Sequence, residues 1–158
     1  MWIDVCRGRL VWVLMLFVLA NPAMAETGRV RGQLLYVPVY SEVPYGDKRF
    51  TLNLTATLSV RNPDQRTPIT LRRVDYFSSA GELVRSYLKQ SSTLKPMAST
   101  EFIVRESDRS GGVGASFLVE WESEVPVSPA FVEAVMVNSA YNQGVAFNSP
   151  ARVLDEKP

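Results

Sequence analysis

The sequence predicts an all-β chain folded as a two-layer antiparallel β-sandwich of immunoglobulin-like type, and three observations predict it. From Thr51 to Asn62, apolar Leu52, Leu54, Ala56, Leu58 and Val60 alternate with polar Thr51, Asn53, Thr55, Thr57 and Ser59. That period of two belongs to a strand with one face in a core and the other in water. Turn-forming residues recur near positions 45, 63, 80, 96, 111, 128 and 143, a spacing typical of short strands in series. Between these turns no apolar period of 3.6 residues is sustained for three helical turns. Strands in such a series stack as a sandwich. A small β-barrel is the alternative, because alternation alone does not separate open from closed sheets.

Taken in order, the chain begins with Arg7 and Arg9 before the apolar run Leu10 to Ala20, followed by Ala23-Met24-Ala25. A short apolar run with a basic lead and a small-x-small end reads as a secretory signal peptide over residues 1–25, with cleavage near Ala25. A membrane span needs about 20 apolar residues, so no stable membrane insertion is expected after cleavage. The single cysteine, Cys6, leaves with the signal. The remaining chain then has no thiol for a disulfide, so in an oxidising compartment its core alone must hold it. Residues 26–33 read as a flexible lead-in, 34–154 as one sandwich domain and 155–158 as a frayed tail.

Within the domain, Leu34 to Tyr40 is a strand candidate placed at a sheet edge, because Pro38 removes a ladder donor. Thr51 to Asn62 follows, closed by Asn62-Pro63-Asp64, whose residue types favour a turn. In Ile69 to Phe77 the apolar parity changes between Leu71 and Val74, and a bulge at Arg72-Arg73 would restore one inner face. Ser79-Ala80-Gly81 reads as a hairpin turn, with Gly81 supplying a positive φ. Leu83 to Leu88 and Thr100 to Arg105 are the next strands. In the strand after Gly114, Ala115, Phe117, Val119 and Trp121 share the core face. Pro126 and Pro129 bracket a connection, Phe131 to Val137 is a strand, and Asn142-Gln143-Gly144 turns into a last strand at Val145 to Phe147.

Composition excludes more chemistry than it suggests. Histidine is absent from the whole chain, which removes Ser-His-Asp catalysis and most zinc sites. Beyond residue 25 basic and acidic side chains are equal in number, so no electrostatic footprint for nucleic acid exists. Gly112-Val113-Gly114 precedes a strand and not a helix, which rules out a dinucleotide fingerprint. Glu120, Glu122 and Glu124 step along one strand about 6.6 to 6.8 Å apart, a separation that inverting glycosidases use. A solvated acidic face explains them better, because acid catalysis needs one carboxyl buried enough to raise its pKa. Glu106 and Asp108 are hard-oxygen candidates for calcium without a recognised loop spacing. The residues singled out for partner contact are Glu106, Asp108, Arg109, Ser110, Gly111 and Gly112, in the most loop-like segment of the chain.

Several segments carry a family likeness: Leu35-Tyr36-Val37-Pro38-Val39-Tyr40-Ser41, Leu58-Ser59-Val60-Arg61-Asn62, Val74-Asp75-Tyr76-Phe77 with Gly81, and Glu106-Ser107-Asp108 with Gly111-Gly112 and Glu120-Trp121. They resemble an uncharacterised family of exported bacterial proteins, domain of unknown function 3124, from about Leu34 to Val153. The resemblance implies an exported single domain and supplies no activity, cofactor or catalytic residue. The function expected is therefore a non-enzymatic binding or assembly module, periplasmic or secreted, whose partner is an envelope protein or polymer. One alternative is a carbohydrate or polymer binder using exposed Tyr36, Tyr40 and Tyr45, and another is a hydrolase using acidic residues. No cofactor is implied.

Overall fold

The computed structural model describes residues 28–138 and 144–158. The expected signal peptide with Cys6, and Asn142 and Gln143 of the expected last turn, lie outside the described residues. The strands are β1 (Val30–Val39), β2 (Glu42–Tyr45), β3 (Phe50–Asn53), β4 (Thr55–Arg61), β5 (Ile69–Phe77), β6 (Leu83–Ser86), β7 (Ser92–Leu94), β8 (Ser99–Val104), β9 (Ala115–Val127), β10 (Phe131–Asn138), β11 (Val145–Pro150) and β12 (Arg152–Lys157). One layer is a six-stranded sheet in the order β12-β1-β9-β5-β6, with β7 also paired to β5, and the other runs β11-β10-β4-β8. All pairs are antiparallel. Both orders are open paths, so the chain forms the β-sandwich and not the closed barrel.

Alternation decides which side chains lie between the layers. Leu35 and Val37 of β1, Leu71, Val74 and Tyr76 of β5, and Phe117, Val119 and Trp121 of β9 belong to the same buried cluster as Ala56, Leu58 and Val60 of β4, Val104 of β8, and Ala134 and Met136 of β10. Each large side chain in that cluster contributes about 1.5–3 kcal/mol by leaving water. The parity change in β5 is a bulge, with a register shift between Leu71 and Arg73 against β9. Gly81 takes φ 79° in the β5–β6 hairpin.

Three expectations are corrected. The stretch from Thr51 to Asn62 is two strands, not one. It divides at Leu54, whose N–H donates to the Ser41 carbonyl at 2.9 Å. β3 then pairs with β2 in a ribbon outside both sheets, while β4 lies between β10 and β8. The side-chain period continues through the break, so it carries no information about where the backbone changes partners. Secondly, β1 starts at Val30, inside the expected lead-in, and is internal to its sheet. β12 pairs with it only from Gly32 to Tyr36, so the strand is an edge only beyond that pairing, where Pro38 lies between Val37 and Val39. Finally, the expected tail is the end of β12, with Asp155 opposite Leu34 and Glu156 opposite Gln33. Every residue of β12 is exposed, and its polar composition gave no sign of a backbone ladder.

Candidate functional site

The loop-bearing end of the sandwich is assembled around Ser41, Ser79 and Asn138. Ser41 follows β1, and its N–H and hydroxyl both donate to the Gly112 carbonyl, at 3.3 and 3.0 Å. Ser79, in the β5–β6 hairpin, donates from its N–H and hydroxyl to the Gly111 carbonyl, both at 2.8 Å. The same hydroxyl accepts from the Gly114 N–H at 2.8 Å. Asn138, at the end of β10, donates through Nδ2 to the Asn53 carbonyl at 2.7 Å and to Glu106 Oε1 at 3.3 Å. Hairpin, ribbon base, 105–114 connection and β10 are thereby bound into one unit. Backbone groups of an irregular loop must find partners where they are covered, and these three side chains supply them.

The six expected contact residues divide into two groups. Asp108 accepts from the Ser110 hydroxyl and N–H and from Arg85 at 3.3 Å. The Ser110 hydroxyl, more than any other neighbour, holds its carboxyl below the ordinary aspartate value. Gly111 is buried against Tyr76, and a Cβ there would sit 1.8 Å from the Tyr76 hydroxyl oxygen. Gly112 has φ 72° and offers its carbonyl to Ser41. Asp108, Gly111 and Gly112 therefore hold the loop, Glu106 and Ser110 join that bonding while staying exposed, and Arg109 and Val113 are exposed as well. The two carboxylates considered for calcium turn to different partners, Glu106 to Asn138 and Asp108 to Ser110 and Arg85. Among the described residues no group of three or more metal-ligating side chains is arranged to hold an ion.

Above this base stands the β2–β3 ribbon. Val43 and Leu52 pack its lower part on the core. At its tip the chain reverses through Gly46, Asp47 and Lys48, all at positive φ. Tyr45 and Phe50 face each other across the ribbon and stack with centroids 5.3 Å apart, yet are 54% and 57% exposed. Phe50 escaped the sequence reading, although an aromatic on each side of a Gly-Asp turn was a visible signal. Tyr40 packs edge-on against Phe147 and Tyr36 pairs across β9 with Leu118. No ring contact among the described residues joins any two of Tyr36, Tyr40 and Tyr45.

The opposite end holds a second buried polar cluster, and the sequence showed it only as a turn. Asn62 and Asp64 are 1% and 4% exposed. Asn62 Nδ2 donates to the carbonyls of Thr67, Leu94 and Lys95, and its Oδ1 accepts from the Asp64 N–H. Asp64 accepts from the N–H groups of Arg66, Thr67 and Ser128 and from Arg29. The bonds from Arg66 and Thr67, above all, hold its carboxyl at about 2.

Glu120 and Glu122 lie on the outer face of the six-stranded sheet. Arg72 bonds Glu122, Arg73 reaches Glu120 at 3.6 Å, and Lys157 approaches both within 4.0 Å. The bond from Arg72 lowers the Glu122 pKa, opposite to what an acid catalyst requires.

Residues 32–154 match a family described as a protein of unknown function (DUF3124). The chain belongs to that family. This family member is similar to the crystal structure of Thermotoga maritima 1070, with 13% sequence identity, a TM-score of 0.47, and coverage of 82% of this chain and 98% of that one. No curated protein matches it. Among the described residues no helix is long and apolar enough to cross a membrane.

Proposed function

We propose that the chain is a non-enzymatic periplasmic binding or assembly module that meets an envelope component through its loop-bearing end. One observation carries this reading. The β2–β3 ribbon lies outside both sheets and presents a stacked Tyr45–Phe50 pair that is more than half exposed. A two-stranded ribbon is marginal by itself, and here its base is braced by Ser41 and Asn138. Rigid aromatic side chains of this kind lose little conformational freedom on binding and dominate protein contacts, at about 2 kcal/mol or more each when they are central. Glu106 and Arg109 add exposed polar handles on the connection that Asn138 ties to the ribbon base.

The test uses the full chain in cells that export it. A photo-reactive residue at Val113 should give a discrete adduct with one envelope component. The double variant Tyr45→Ala with Phe50→Ala should lose that adduct while keeping the wild-type unfolding midpoint. An undiminished adduct from a folded double variant would overturn the assignment.

A further inference from the structure

Four strand edges border the two sheets, and three are interrupted. β12 carries an unpaired bulge at Leu154, because Asp155 opposes Leu34 while Val153 opposes Leu35. β6 and β7 share one side of β5 as two short pieces. β11 ends in Pro150, which has no N–H to offer. By contrast, β8 pairs with β4 from Ser99 to Val104 without a register shift. Bulges, prolines and short pieces are the usual ways of blunting an edge, and β8 has none of them.

Hydrogen bonding shows which groups β8 leaves open. The Asn62 N–H donates to the Ala98 carbonyl, so the bonded pairs with β4 fall at Ala98, Thr100, Phe102 and Val104. In an antiparallel ladder the alternate residues turn their backbone groups away, and these are Ser99, Glu101 and Ile103. The Tyr87 hydroxyl, which donates to the Ile103 carbonyl at 3.0 Å, occupies one of them. Among the described residues nothing bonds either group of Ser99 and Glu101 or the Ile103 N–H on that side, and these remain for a new strand. A shallow hollow lined by Arg61, Pro63, Met97, Ala98 and Phe131 adjoins the Ser99 end. Met97 and Phe131 are 69% and 52% exposed there.

Charge selects the occupant. Glu101 is exposed and makes no hydrogen bond or ion pair among the described residues, whereas Glu133 in the same row of the sheet is held by Arg61 and Asn148. If two copies paired antiparallel through β8 with all three outward residues engaged, each Glu101 would oppose the other. Like charges directly opposite one another disfavour a pair, and unlike charges favour it. We infer that β8 is an acceptor edge for an extended segment of a partner protein, one that sets a Lys or Arg opposite Glu101 and an apolar side chain toward Met97. Main-chain pairing supplies affinity and the alternate side chains supply selectivity. This surface is separate from the ribbon of the proposed contact end, and either assignment stands if the other fails.

The probe is a synthetic peptide alternating Val and Thr around one central Lys, compared with the same peptide carrying Glu at that position. Binding to the folded chain is read by fluorescence anisotropy, and amide exchange is read residue by residue. The Lys peptide should bind about tenfold tighter than the Glu peptide and slow exchange at Glu101 and Ile103. Glu101→Lys should reverse the preference. Glu101→Pro, which removes an outward N–H and leaves the β4 ladder intact, should abolish binding of the Lys peptide with the unfolding midpoint retained. Equal binding of the two peptides, or unprotected amides at Glu101 and Ile103, would overturn the inference. Concentration-dependent protection of those amides without peptide would assign the edge to a second copy instead.

Discussion

At one end of the sandwich Asn62 and Asp64 turn their whole bonding capacity inward, whereas at the other Ser41, Ser79 and Asn138 brace loops whose remaining side chains face solvent. Both ends are rich in Asn, Asp and Ser. The first joins the β4–β5 and β7–β8 connections to the turn after β9 and leaves little polar capacity unused. The second spends its buried polar groups on backbone and sets Tyr45, Phe50, Glu106 and Arg109 above them. Closure and presentation thus come from the same residue types, separated by where the bonds go. The destination of the bonds distinguishes them, not composition.

The scale for both ends is set by the core between them. Trp121→Ala should destabilise the domain by about 3 to 5 kcal/mol, since the indole is fully buried and the cavity would close only in part. A loss below about 1 kcal/mol in denaturant unfolding would contradict that packing. Next in size is Asn62→Ala, which strands the buried carbonyls bonded by its amide at a cost of about 2 to 4 kcal/mol. An Asn62→Ala midpoint equal to wild type would show that the closed end does not close anything.

Acid sharpens the same contrast. The Asp64 pKa is depressed in the fold to about 2 from 3.8, so the unfolded chain takes up this proton first as pH falls. Its stabilisation is fully present above about pH 4 and is lost as pH drops toward 2. Asp64→Asn should flatten the stability profile in that window, as read from urea midpoints. An unchanged slope would mean that Asp64 is not held as described. The smallest effect is expected at the presenting end, where Tyr45→Ala with Phe50→Ala should shift stability by less than about 1 kcal/mol. A larger shift would make the pair a structural staple of the ribbon.

Much of the sandwich was legible because period-two alternation reports the core face directly, as in β9, or through a displaced parity, as at the bulge in β5. Backbone partnership was not. Nothing in the side chains of residues 51–62 marks Leu54 as the place where the chain leaves a ribbon for a sheet, and β12 buries no side chain to betray its ladder. The 106–114 segment was recognisable as a loop from its Gly, Ser and Asp. Its division into bracing and exposed residues was not, because it depends on Ser41 and Ser79, which are distant in sequence. Asn62 and Asp64 read as turn formers for the same reason: their partners Leu94, Ser128 and Arg29 come from elsewhere in the chain.

A paired photo-crosslinking experiment in exporting cells tests the distinction between the ends most directly. One reactive side chain is placed at Arg109 on the presenting end and another at Gln65 on the closed end, in otherwise unaltered full-length chains. A discrete adduct from position 109 and none from position 65 is the predicted result. Adducts from position 65 alone would contradict the account.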